Sequence, residues 1–156
     1  DFQGIKWHRH PDEPKYDYQH PRCAAAIKEI RRRNLPVMLE EELANTMHFL
    51  DELAPDVRVI IPHCGALNGG YHELQRLGVW ARENVCTDTS VAPLESTIID
   101  YVDRHGHERL LFGTDFPFGD PAGELEKVRA CSFTDAVMQY ILGGNLRRLL
   151  AANRDM

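Results

Sequence analysis

Long apolar runs are missing from this chain, and so is the lysine- and arginine-rich stripe of a nucleic-acid binder. No stretch approaches the roughly 20 residues needed to cross a bilayer, and no signal-peptide pattern opens the sequence. The 156 residues carry 18 basic and 24 acidic side chains, a net charge of −6, with the two signs interspersed. The only basic cluster, Arg31–Arg33, falls where a helix should end, and the helix dipole favours cations there. These absences argue against nucleic acid and membrane as partners. Cysteine is scarce as well. The four (Cys23, Cys64, Cys86, Cys131) are scattered without a C-x-x-C pair, as expected of reduced thiols in a cytoplasmic protein rather than a zinc ribbon or redox motif. Phosphate-loop and nucleophile-elbow patterns are absent too. An initiating methionine is also lacking, and a strand begins almost at once in "DFQGIKWH". That opening leads us to expect a fragment, with an N-terminal portion missing.

What the chain does have is four short apolar runs, each ending on a group able to bind a metal or move a proton. They are Gly4–His10, Leu35–Glu42, Val57–Gly65 and Arg109–Pro117. Runs this short and aliphatic fit strands buried on both faces. A shorter one, "NVCTDTS" (Asn84–Ser90), lies between the last two. Helical patterns separate the strands: Pro21–Asn34, Leu43–Leu53, Tyr71–Trp80 and Leu94–His105, with more helix from Leu125 onward. Strand and helix alternate five times, which predicts right-handed βαβ units and a parallel α/β sheet. Two architectures accommodate five units: an open doubly wound sheet, or a parallel-stranded partial TIM (β/α)8 barrel. A whole barrel takes about 250 residues, and five-eighths of that is close to this length. The chain's opening tips the expectation to the partial barrel, one domain over residues 1–156.

In either fold the strand C-termini share one side, so the terminal side chains converge. Asp115 follows a buried strand, where a carboxylate is costly unless a cation or hydrogen bonds compensate it; a turn or helix-capping aspartate is the plainer alternative. His63 in "PHCG" suits a ligand, an acid/base, or a core imidazole bonded to a carbonyl. Glu40 continues a strand, whereas Glu41 and Glu42 read as first-turn acids of the next helix. His8 and His10 are two apart, so on an extended segment both reach one ion. Glu40, His63, Asp115, His8 and His10 are therefore the candidate metal ligands, with Asp115 and His63 the candidate catalytic pair. A mixed imidazole and carboxylate set suits Zn2+ first and Mn2+ second. Lys6, Trp7 and Arg9 are candidate substrate contacts, with Lys15 and Tyr16 beyond them. Thr87, Asp88 and Thr89 offer polar contacts or turn capping. "LNGGY" is glycine-rich before a helix and suits an anion. His48, His72, His105 and His107 read as surface residues.

Taken together, "GIKWH", "LPVML", "VIIPHCG", "NVCTDTS", "RLLFGTDFPFGDP" and "ILGGNLRRLL" resemble the amidohydrolase-related family of metal-dependent (β/α)8 hydrolases and decarboxylases. The likeness runs along the whole chain and is sharpest at "GTDFP" and "GGNLRRLL". It implies strands four to eight of the barrel, with Asp115 as the strand-eight metal ligand and His63 as the strand-six ligand or acid/base. Glu40 stands where the family usually carries a strand-five histidine, a departure from its pattern. The family's strand-one H-x-H pair has no counterpart, and His8 and His10 are not that pair. The implied function is hydrolysis of a small organic substrate by a metal-activated water. Non-oxidative decarboxylation is the close variant, and a non-catalytic remnant or structural subunit the third reading. Five strands left open at both edges predict a homo-oligomer.

Overall fold

A computed structural model describes residues 2–9, 17–92 and 94–151. Its centre is one five-stranded sheet: β1 (Ile5–His8), β2 (Val37–Glu40), β3 (Val59–Ile61), β4 (Val85–Asp88) and β5 (Leu110–Leu111). Every neighbouring pair is parallel, and the spatial order is the chain order, β1 to β5. That order decides between the two expected architectures. A doubly wound sheet reverses its strand order at a switch point, whereas a barrel adds each strand beside the last. The fold is five consecutive βα units of a TIM barrel.

Strand alternation sorts side chains onto two faces. One face carries Val37, Leu39, Val59, Ile61, Val85 and Leu110, all buried in the main core with the helices. The other carries Met38, Ile60, Cys86 and Leu111, a smaller apolar cluster closed by Leu149. Lys6, His8 and Glu40 share this second face, because Lys6 pairs in register with Met38 and His8 with Glu40. The apolar floor thus gives way to charge at the C-terminal end of β1 and β2.

The helices follow local signals. In α1 (Pro21–Arg32) the His20 side chain accepts from the Arg22 N–H, Pro21 fills the first turn, and Ile27 and Ile30 face the core. α2 (Leu43–His48) widens into a π-type turn at Phe49–Leu53, and α3 (Tyr71–Arg76) is followed by a 3-10 turn at Val79–Ala81. α4 (Glu95–His105) ends on Gly106 at φ 79°, where the left-handed region favours glycine. α5 (Pro121–Ala130) is capped by Asp120, which accepts from the Gly123 N–H. α6 (Asp135–Gln139) and α7 (Asn145–Ala151) close the described chain. Asn145 ties α7 to β5, donating to the Leu110 carbonyl at 2.8 Å.

Several elements are shorter than the sequence predicts. Of the run Gly4–His10 only Ile5–His8 forms the strand, and Arg109–Pro117 retains ladder pairing only at Leu110 and Leu111. The helix expected over Leu43–Leu53 is α in its first six residues only, and Trp80 lies in a 3-10 turn rather than in α3. Packing of Trp80 explains the last difference: it is fully buried, stacks on Tyr71 at 5.9 Å, and donates to the Tyr71 carbonyl at 3.0 Å.

Candidate functional site

His63, Cys64 and Gly65 take φ values of 59°, 49° and 82° in succession just beyond β3. Non-glycine residues avoid this region, and runs of it persist only where surrounding contacts hold them. Here Asp88, at the end of β4, does the holding. Its Oδ1 accepts from the His63 N–H (3.1 Å), from the Ser90 N–H (2.9 Å) and from the Ser90 hydroxyl. The chain is thereby turned so that the His63 ring, 5 % exposed at the residue level, sits at the strand ends. Its Nδ1 lies 2.9 Å from both the carbonyl oxygen and the Oγ of Ser90. Its Nε2 lies 3.7 Å from Glu40 Oε2.

Glu40 gathers the charged groups. Lys6 Nζ stands 2.8 Å from its Oε2, and His8 Nε2 3.1 Å from its Oε1. Burial pushes this carboxyl's pKa up, but the Lys6 hydrogen bond and charge, aided by His8 and His63, outweigh that and leave it below its ordinary value. His63 also lines a cavity of about 200 Å3, together with Ala66, Leu67, Val91 and Asp115. Asp115 enters from the loop after β5 at φ 51°. His63 is the shared neighbour of the other two: Glu40 stands beside it, and Asp115 lines the cavity with it, while Glu40 is not among the residues lining that cavity.

The other candidates are placed differently. Lys6 pairs with Glu40 and is half exposed. Trp7 lies on the opposite face of β1, stacked with Tyr18 at 6.1 Å and edge-on to Phe49 at 5.7 Å. Arg9 sits 3.2 Å from Glu41, with its guanidinium over the Tyr18 ring at 5.1 Å. Glu41 corrects the expectation of a first-turn acid: α2 begins at Leu43, and Glu41 lies before it, 1 % exposed, with the Tyr18 hydroxyl donating to it. His8 reaches Glu40, while His10, Lys15 and Tyr16 lie outside the described residues. The glycine-rich loop is tied down rather than open to an anion. Asn68 donates to the Leu39 carbonyl (3.0 Å) and to Thr46 Oγ1 (2.9 Å), and the Gly70 N–H donates to Gly65. Of the four histidines read as surface, only His72 is exposed; His48, His105 and His107 are half-buried. Ser90 carried no expectation, although an aspartate accepting the N–H two residues on is a recognisable turn signal.

A divalent ion fits this donor set poorly. Glu40 already takes an ammonium and an imidazole, and among the described residues no three His, Cys, Asp or Glu side chains gather as metal ligands do. An ion would have to displace Lys6 and recruit further donors. Among the described residues no helix is long and apolar enough to cross a membrane.

Among solved structures, the chain is similar to 2,6-dihydroxybenzoate decarboxylase complexed with 2,6-dihydroxybenzoate (20 % identity, TM-score 0.65, 91 % of this chain on 58 % of that one). It is also similar to a Pseudomonas putida protein provisionally assigned as 2-pyrone-4,6-dicarboxylic acid hydrolase (18 %, TM-score 0.73, 96 % on 63 %). A third is a dihydroxybenzoic acid decarboxylase from Polaromonas with bound manganese and 2-nitroresorcinol (18 %, TM-score 0.64, 92 % on 57 %). The chain thus spans less than two thirds of each, and at these identities the likeness is one of fold. No curated protein matches the sequence. The family model described as amidohydrolase matches residues 2–151, nearly the whole chain, and the protein belongs to that family.

Proposed function

We propose that this chain carries the acid–base part of an amidohydrolase-family active site acting on a small organic molecule, with His63 as the proton-transferring group. The observation behind this reading is the placement of His63: buried, held by Asp88 and Ser90, flanked by Glu40, and lining a cavity that Asp115 shares. Glu40 Oε2 stands 3.7 Å from His63 Nε2 and is itself paired with Lys6 Nζ at 2.8 Å, so the carboxylate beside the proton-transferring ring is not a bare buried anion. Such positioned transfer contributes about 10²–10⁴-fold to rate.

Hydrolysis of an ester or lactone and non-oxidative decarboxylation both use this arrangement. In hydrolysis, water attacks the carbonyl while Asp115 or His63 takes its proton, and that proton goes to the leaving oxygen. In decarboxylation, the carbon–carboxylate bond breaks, CO2 leaves, and His63 delivers a proton to the ring carbon. The similar structures include proteins named for each reaction. Zn2+, expected first from residue types, and the Mn2+ bound in one similar structure, would need donors beyond those described here. Trp7, Lys6 and Arg9 fit support of the site better than contact with substrate. We place the protein in the cytoplasm, in keeping with its four free cysteines, and read it as a homo-oligomer that covers the outer edges of β1 and β5.

The test is turnover by the purified protein on 2,6-dihydroxybenzoate, 2-pyrone-4,6-dicarboxylate and simple aryl esters, beside His63→Gln and Asp115→Asn. Loss of at least 100-fold in kcat with His63→Gln supports the reading. Equal turnover by wild type and His63→Gln overturns it.

A further inference from the structure

Ser90 and Asp88 do more than hold a loop, because the hydrogen atoms available to them determine which nitrogen of His63 carries its own. Asp88 Oδ1 receives two backbone N–H groups, from His63 and Ser90, so it is an acceptor. The Ser90 hydroxyl has a single proton, and it is directed to that same oxygen. Ser90 Oγ therefore faces His63 Nδ1, at 2.9 Å, with lone pairs only. The second neighbour of Nδ1 is the Ser90 carbonyl oxygen, also at 2.9 Å and also only an acceptor. A nitrogen between two acceptors must carry the hydrogen, and in a neutral imidazole the other nitrogen then carries the lone pair.

We propose that Asp88 and Ser90 are positioning residues that lock neutral His63 as the Nδ1–H tautomer, making Nε2 the atom that accepts and returns the proton. The inference deepens the assignment of His63 as acid/base and rests on it. Sequence and local structure cooperate in a short span: Asp88 ends β4, Thr89 anchors its N–H to the Leu111 carbonyl at 3.0 Å, and Ser90 turns back beneath the ring. All four groups are buried, with Asp88 5 %, Thr89 0 %, Ser90 3 % and His63 5 % exposed. Glu40 lies on the Nε2 side, so the carboxylate and the groups that fix the ring face opposite nitrogens. An Asp88 that released the serine proton would let the hydroxyl donate to Nδ1, and the ring could then place its hydrogen on Nε2, against Glu40.

The experiment is long-range 1H–15N correlation NMR of the intact chain labelled at histidine, at alkaline pH where imidazole rings are neutral. Wild-type His63 should show Nδ1 protonated and Nε2 bare. Asp88→Ala should raise the minor Nε2–H form several-fold, and Asp88→Asn, which retains an acceptor oxygen, should restore the wild-type pattern. A wild-type ring protonated at Nε2 overturns the proposal even if a variant fails to fold, and so does an Asp88→Ala ring unchanged from wild type. Because the readout is a tautomer rather than turnover, its failure is separable from the failure of the acid/base assignment: an inactive protein with an Nδ1–H ring refutes the function alone.

Discussion

His63 Nε2 and Glu40 Oε2 stand 3.7 Å apart across the ends of β3 and β2, although 23 residues separate them in the chain. Parallel pairing of the two strands brings them together, Val37 against Val59 and Met38 against Ile60. Glu40 sits two residues beyond Met38, on the same face.

Replacing Glu40 should therefore act on His63. Glu40→Gln keeps the shape but removes the negative charge 3.7 Å from Nε2. The kcat on any turned-over substrate should fall, with less change in KM. Turnover unaltered in Glu40→Gln would mean that the carboxylate and the ring do not act together.

Lys6→Met should cost stability in a pH-dependent way. Glu40's folded pKa lies below its ordinary value of 4.5. Its contribution is therefore complete above that value and is lost as pH falls through the lower, folded one. Urea unfolding of wild type and Lys6→Met should differ most at neutral pH and converge as the pH drops well below 4. A gap independent of pH would contradict the pairing.

Alkaline pH should weaken the fold through Cys64. Burial, with a smaller contribution from the Asp88 charge, pushes this thiol up from 9.0 to about 12. Because the folded value is the higher one, the thiol favours folding below the unfolded pKa. That advantage is lost as pH rises from about 9 towards 12. Folded protein at pH 8 should leave Cys64 unmodified by a thiol reagent that reacts with it fully in denaturant.

Trp80→Ala should destabilise by about 3–5 kcal/mol, the usual cost of emptying a large buried aromatic site. Trp80 touches Tyr71 and Tyr101 and is fully buried, so the loss falls on the layer between α3, α4 and the sheet. Gly65→Ala should also be harmful: at φ 82° an added Cβ would strike Leu74 and come within 3.1 Å of the Trp80 ring. Chemical denaturation of both variants checks the two together.

Much of this architecture was legible in the residues because β3 and β4 are covered on both faces, which produces unbroken runs such as "VII". Strand order was not legible: alternation of strand and helix is the same for a barrel and a doubly wound sheet, and only spatial adjacency separates them. At the site, Glu40, His63 and Asp115 announced themselves as charged groups at the ends of apolar runs. Glu41 misled, since an acid just before a helical pattern reads as part of its first turn, whereas here Tyr18 and Arg9, both remote in sequence, bond to it. Lys6 and Ser90 were obscure for the same reason: their partners, Glu40 and His63, are remote in sequence and meet only through the sheet.

The central claim is that small organic molecules meet the protein at His63, in the cavity shared with Asp115. Chemical-shift mapping of the labelled protein during titration with sodium benzoate and phenyl acetate tests it most directly. The account predicts that the largest changes cluster on His63, Ala66, Leu67, Val91 and Asp115 and vanish in His63→Gln. Changes centred elsewhere, or unaltered by that substitution, would contradict it.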